Sequence, residues 1–404
     1  MGKLNIMTNV DNEEVWVNST YINNDSASWH PIALRCRVEL PFVMQEISAK
    51  GNTAGALSAS FDGDTGVTWG WGSNNNGQIG DGTIIDKCEP AMVLRTCFNV
   101  IAMGVTHFGG LDNNGQAWTW GSNNMGKLGN NSVVSSSSPT AVHGDHTFCK
   151  ISFGENFSVG LDNNGLVWAW GINNNGQLGT NSTVCYSTPV GVCLTSVENI
   201  AAGYNHTFAW TNISSTTCTM SQWGLNNYGQ LGIDSTVNLC IPMTRTGPGN
   251  YIDISGGYRH SLCLLVFGGF EYLKSTGYNN LGQLGLDNVI TTSDWTVVKA
   301  PKDLYLYRVS AGYDHSLSIN ISGNSWSWGG NDYGQLGDET VIDRCGVGEI
   351  KTIRTFCQIQ AATFFSIGLD NPGQGWGWGY NYDGSLGNGT VICQCVPVSI
   401  KQTY

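Results

Sequence analysis

The chain has 404 residues, of which only 12% are charged, and 18 Lys+Arg against 30 Asp+Glu leave a formal charge of −12. That balance excludes a broad phosphate-binding surface, so nucleic acid is not an expected partner. The length exceeds a usual single domain while no proline-rich or charge-rich linker interrupts it, which favours one large or repeated architecture.

From the N-terminus, MGKLNIMTNVDNEEVWV has no apolar core and soon carries acids, so a secretory signal is not expected and synthesis in the cytoplasm is. Gly2 has Ile6 where a myristoylation signal wants Ser or Thr, and no long apolar run follows, so membrane insertion is not predicted. Residues 1–43 are read as an N-terminal arm containing two alternating stretches, 15–22 and 30–40, one of which is expected to complete a sheet. Its Trp16, Tyr21, Ile22 and Trp29 have the character of interface anchors, and Asp11, Glu13 and Glu14 that of a polar rim.

Beyond the arm one phrase recurs seven times: GSNNNGQIG from Gly72, GSNNMGKLG from Gly121, GINNNGQLG from Gly171, GLNNYGQLG from Gly224, GYNNLGQLG from Gly277, GGNDYGQLG from Gly329 and GYNYDGSLG from Gly379. The spacing of 49 to 53 residues marks a solenoid or propeller, in which each unit buries its face against its neighbours. The second unit parses as strand 99–104, strand 107–111, the hairpin turn Asp112-Asn113-Asn114-Gly115, a strand ending at the repeated phrase, and a fourth strand at 137–142. No segment keeps a 3.6-residue period, so the predicted fold is all-β: residues 44–404 form a seven-bladed β-propeller of four-stranded antiparallel blades.

The pattern A-x-G-x-x-H-[ST], then W-x-W-G-x-N-x-x-G-Q-L-G, then P-x-x-V resembles the repeat of the regulator of chromosome condensation family over about residues 44–404. The resemblance implies a seven-bladed propeller. It leaves function open, since such propellers serve as nucleotide exchangers, light-signalling subunits, ubiquitin-ligase modules and bacterial or phage proteins.

Within each unit the paired tryptophans, such as Trp118 and Trp120, point to one face of their strand and are expected to pack blade on blade. Trp71, Trp120, Trp170, Trp223, Trp328 and Trp378 are the predicted blade core. His107, His206, His260 and His315 hold equivalent places that could suggest a metal crown, but Phe157 and Phe365 occupy the same place in two units, which favours a histidine tied to a backbone carbonyl. Thirteen cysteines, several at recurring places (Cys88, Cys185, Cys240, Cys345, Cys393 or Cys395; Cys97, Cys149, Cys357), are read as buried free thiols. No HExxH, GxSxG or GxxxxGK[ST] occurs, so neither enzyme activity nor a cofactor or metal is expected.

Two departures from the repeat stand out. The fourth unit reads SQWG and the fifth LKSTG, losing one and then both tryptophans, and Phe267, Phe270 and Tyr272 beside them are candidate anchors of a contact surface. The arm is the other. Together they point to a structural or interaction propeller with protein partners in a larger assembly, a virion (phage capsid-surface or tail) component before a cellular adaptor. The alternative is a guanine-nucleotide exchange factor, disfavoured by the acidic balance.

Overall fold

In the computed structural model, which describes residues 42–58, 66–94, 98–214, 216–299 and 305–402, antiparallel strands come in seven sets of four. Each set is consecutive in sequence: blade 1 spans 44–92, blade 2 98–141, blade 3 148–191, blade 4 199–248, blade 5 250–297, blade 6 306–349 and blade 7 356–399. The first strands of successive blades touch one another around the ring, so they are innermost. The helical element among the described residues is the short 3-10 turn Asn124–Gly126.

The repeated phrase is a loop organised by its asparagine. Asn74, Asn123, Asn173, Asn226, Asn279, Asn331 and Asn381 are each fully buried. In all seven, Oδ1 accepts the N–H five residues on at 2.9 Å. Nδ2 donates to the carbonyls nine and eleven residues on at 2.8–3.2 Å. One amide thus satisfies three backbone groups that a buried loop would otherwise leave unpaired.

The last glycine of the phrase has a second duty. Its φ lies between +62° and +81°, and a Cβ there would come within 2.5–3.0 Å of an indole on the next blade: Gly80 meets Trp120, Gly129 Trp170, Gly179 Trp223, Gly285 Trp328, Gly337 Trp378 and Gly387 Trp71. All six of these tryptophans are fully buried. Five donate Nε1–H to a carbonyl of the loop they cover, as Trp170 does to Lys127 O and Trp223 to Gln177 O, both at 2.9 Å. In three of the five pairs the other member has different work: Trp118, Trp168 and Trp376 are half-buried, and their Nε1–H groups bond Asp112, Asp162 and Asp370, which open the hairpin turns, at 2.9–3.1 Å, whereas Trp69 is buried and donates to Ser58 Oγ at 3.0 Å.

Blade 5 has Thr276 where the others carry tryptophan, and its interface is repaired from elsewhere. Trp295, on the fourth strand Thr292–Val297, lays its indole within 2.5 Å of the Cβ position on Gly232. Thr276 Oγ1 donates to Gly229 O at 2.9 Å. The missing tryptophan of LKSTG is therefore a relocation of the ring, not its loss.

Every sheet draws its four strands from residues 44–399, and blade 7 closes on blade 1 through the same contacts that join the others. Gly389 N–H reaches Cys88 O at 2.8 Å, as Asn181 N–H reaches Cys240 O and Asp287 N–H reaches Cys345 O. Ile47 N–H donates to Gln358 Oε1 at 3.1 Å across the seam, and Gln402 Nε2 ties Phe42 O and Gly373 O. Residues 1–41 of the arm, with the anchors Trp16, Tyr21, Ile22 and Trp29, lie outside the described residues.

The centre of the ring is bolted. Six inner strands end in glycine or alanine (Gly104, Gly154, Gly203, Gly257, Gly312, Ala362), and blade 1 instead places Lys50 there. Its Nζ crosses the axis to donate to Phe153 O and Ala202 O at 2.7 and 2.8 Å. Burial pushes its pKa down to about 7, against the pull of Glu155.

Trp295→Ala is expected to cost about 2–4 kcal/mol despite its outer strand, approaching the about 3–5 kcal/mol expected of Trp120→Ala. Urea unfolding of both variants measures this; a Trp295 loss below about 0.5 kcal/mol would show that blade 5 is held without it.

Candidate functional site

The histidines form an inter-blade device. His107, His206, His260 and His315 are fully buried, and each Nε2 lies 2.9–3.0 Å from a serine Oγ on the next blade: Ser158, Ser261, Ser316 and Ser366. Each serine donates its own proton onward to a loop carbonyl, Lys127 O, Gln230 O, Gln283 O or Gln335 O, at 2.8–2.9 Å. The serine oxygen is therefore the acceptor, and the histidine carries its proton on Nε2. This corrects the sequence expectation of a backbone carbonyl partner. Where blade 7 has Phe365, blade 1 opposes it with Ala54, so an apolar pair replaces the polar one. Among the described residues no group of three or more His, Cys, Asp or Glu is placed to hold a metal ion.

The cysteine reading also needs correction. The eleven described cysteines are free, but only Cys218 and Cys263 are buried. Cys88, Cys240, Cys345 and Cys395 recur because they face the middle glycine of the neighbouring phrase, where Ser137, Ser187 and Ser293 serve equally.

Phe267 and Phe270 pair across the tip of the blade 5 hairpin, 47% and 69% exposed. Tyr272 lines a groove of about 460 Å³ together with Tyr251, Phe267 and Trp295. This hairpin joins the second and third strands. Antiparallel succession puts it on the opposite face of the blade from the repeated phrase, which joins the third and fourth, and from the turn between the first and second.

That other face carries a feature the sequence reading missed. In every blade the first turn and the phrase loop are joined by a backbone bond, such as Tyr278 N–H to Arg259 O at 2.9 Å and Tyr380 N–H to Phe364 O at 2.9 Å. Their variable positions therefore lie side by side. In blades 4 to 7 these positions are aromatic. Tyr258 stacks on Tyr313 with centroids 4.0 Å apart and planes 12° from parallel, and both meet Tyr204 edge-on at 5.3 and 5.8 Å. Tyr313 continues to Phe364 at 5.5 Å, Phe364 to Tyr333 at 5.4 Å, and Tyr333 to Tyr380 and Tyr382 at 5.2 and 6.5 Å. On the other side Tyr228 meets Tyr278 at 4.8 Å, with the Arg259 guanidinium over both.

The result is a crescent of aromatic rings spanning four blades. Tyr204 is its buried root, bonded to Thr363 Oγ1 across the axis at 3.0 Å, and the remaining rings are half-buried or exposed. Blades 1 to 3 present residues such as Asn52, Asn76, Thr106, Met125, Glu155 and Asn175 at the same positions, so the face is aromatic on one side and free of aromatic rings, with mostly polar side chains, on the other. The signal was available in the sequence as Tyr or Phe between the repeated letters. One aromatic per loop carries no weight until the ring brings four loops together.

These observations define a closed β-propeller built of one repeated unit with an asymmetric aromatic face. The family model of the regulator of chromosome condensation (RCC1) repeat matches residues 114–161, 164–210 and 222–264, and a second model of the same repeat matches 148–177 and 308–335. The chain is 31% identical over 147 residues to the ultraviolet-B receptor UVR8 of Arabidopsis thaliana, covering 36% of this chain and 32% of the receptor. It is 28% identical over 144 residues to the probable E3 ubiquitin-protein ligase HERC4 of Mus musculus (35% and 13%), and 30% identical over 118 residues to the mouse secretion-regulating guanine nucleotide exchange factor (28% and 25%). The chain thus spans about a third or less of the length of these curated relatives. In three dimensions it resembles Prp20p of Saccharomyces cerevisiae, with a TM-score of 0.73, 20% identity, and 89% of this chain and 87% of that one covered, and human WBSCR16, with 0.70, 20%, 82% and 88%. At that identity the likeness is one of fold.

The histidine clasps set a pH dependence. Burial holds His206, His260 and His315 down to about 3, and His107 well below its ordinary value. The unfolded chain, with histidines near 6.5, binds more protons between those values, so stability is full above about pH 6.5 and falls as pH drops toward 3. His260→Phe, which copies the residue of blades 3 and 7, is expected to flatten this slope. Thermal midpoints between pH 4 and 7.5 check it; an unchanged slope would mean that His260 titrates normally.

Proposed function

We propose that this protein is a non-catalytic interaction propeller that docks a protein partner on the tyrosine crescent. The observation that carries the reading is the gathering of nine tyrosine and phenylalanine rings and Arg259 on one half of one face. Tyrosine gives large contact area at low entropic cost, and tyrosine and arginine are enriched where binding energy concentrates. The surrounding asparagine and aspartate side chains supply a polar rim. Rigid scaffolds with variable loops are the usual place for recognition.

The finer proposal is that the partner belongs to a larger assembly, a virion in particular. It is supported by the low charge, the Asn/Ser/Thr/Gly-rich surface letters and the anchors Trp16, Tyr21, Ile22 and Trp29 of the arm, with Phe267, Phe270 and Tyr272 as a second contact on the opposite face. Exchange on a small GTPase is the second reading, favoured by the likeness to the mouse exchange factor.

A photo-crosslinking residue at position 278 is expected to capture one defined protein in cells that make the chain, and Tyr258→Ala is expected to reduce capture at least about tenfold, the size of one lost hot spot. Capture from position 270 alone, with none from 278, would transfer the docking role to the hairpin tip.

A further inference from the structure

Arg259 stands inside the crescent, and its surroundings specify what the face takes. Its guanidinium carbon lies 4.8, 4.6 and 5.6 Å from the ring centroids of Tyr228, Tyr258 and Tyr278. Rings in this arrangement attract the cation and fix its position, but they do not use its N–H donors. A guanidinium has five. Among the described residues the hydrogen bond from this one is the 3.4 Å contact to Tyr258 Oη, and Arg259 takes part in none of the ion pairs, which join Lys87 to Asp81, Arg344 to Asp338 and Lys401 to Glu89. Asp314, on the next blade, accepts from Gln283 Nε2 at 3.4 Å and feels Arg259 only through space. An arginine held by aromatic rings with donors unspent is arranged to receive an anion with two acceptor oxygens.

One blade on, the charge reverses. Burial, with the nearby charges of Asp332 and Asp343, pushes the Asp314 carboxyl up to about 6 against the pull of Arg259. Crowded carboxylates there ask for a cation from outside. A nucleic acid would satisfy Arg259 and be repelled by Asp314 and Asp332. A neutral sugar would leave the arginine unanswered, and a small free carboxylate would leave the neighbouring rings uncovered.

We propose that the crescent receives an extended segment of a protein partner that sets an aspartate or glutamate on Arg259 and a lysine or arginine against Asp314 and Asp332. The proposal rests on the crescent being the docking face, and it adds the order of charges read along that face. Tyrosine rings between the two charged points cover the apolar parts of the segment.

The test is selection of a random dodecapeptide display library on the immobilised 404-residue chain, followed by affinity measurement of the enriched peptides on variants of unchanged thermal midpoint. Enriched peptides should share an acidic residue with a basic one a few positions away, and should bind Arg259→Glu at least about tenfold more weakly, the loss expected when an ion pair at an interface becomes a repulsion. Asp332→Lys should weaken them too, and replacement of the acid by lysine in the peptide should restore binding to Arg259→Glu. Binding lost in Tyr258→Ala but intact in Arg259→Glu would keep the docking face and overturn the ionic anchoring. Enriched peptides indifferent to both variants, or no enrichment at all, would overturn both. A dimer of the chain that Arg259→Glu dissociates would give the face to a second copy and overturn the partner segment.

Discussion

The contact on which the ring depends is an indole laid on a glycine. Each phrase loop ends in a residue with positive φ and no side chain, and the next blade's tryptophan fills the space a Cβ would take. The contact is repeated at all seven interfaces, including the seam between the last blade and the first, so the closing interface has the same packing as the six others. Blade 5 shows how strong the requirement is. Having lost its tryptophan, it supplies Trp295 from another strand to the same glycine position.

Around that contact the other repeated letters pair the backbone groups that the loops bury, while the Nδ1 atoms of the four clasp histidines and Nε1 of Trp120 and Trp295 are buried without a hydrogen-bond partner. The asparagine closes its own loop, the serine and histidine join one blade to the next, and a carbonyl such as Gln283 O receives both Trp328 Nε1 and Ser316 Oγ. The backbone pairing matters because a buried unsatisfied group costs more than a made hydrogen bond contributes. It also fixes the loop tips rigidly. Positions between the constant letters are then free to vary without disturbing the ring, and blades 4 to 7 use that freedom for aromatic side chains.

How much was legible follows from this division. The constant letters of GxNxxGQLG repeat, so their period, the blade count and the buried tryptophans could be read directly. The histidine was placed correctly as structural but given the wrong partner, because the serine that meets it stands about fifty residues away in the next unit. The crescent was invisible for a related reason. Tyr258 and Tyr313 are 55 positions apart, and only ring closure with a fixed blade spacing stacks them at 4.0 Å. Phe267 and Phe270 drew attention instead, since two aromatics flanking a pair of glycines are conspicuous locally.

Residues that build the ring are distinct from those proposed to read a partner, and two neighbours in one loop put that distinction at risk. Asn279 is fully buried and bonds three backbone groups, while Tyr278 beside it lies half-buried under Arg259. The decisive measurement is urea unfolding and partner capture on Asn279→Ala and Tyr278→Ala side by side. Asn279→Ala should lose about 2–4 kcal/mol of stability, and its remaining folded fraction should bind normally; Tyr278→Ala should stay within about 1 kcal/mol of the parent and bind poorly. If Tyr278→Ala unfolds the ring, or Asn279→Ala leaves it untouched, architecture and recognition are not divided as the structure implies.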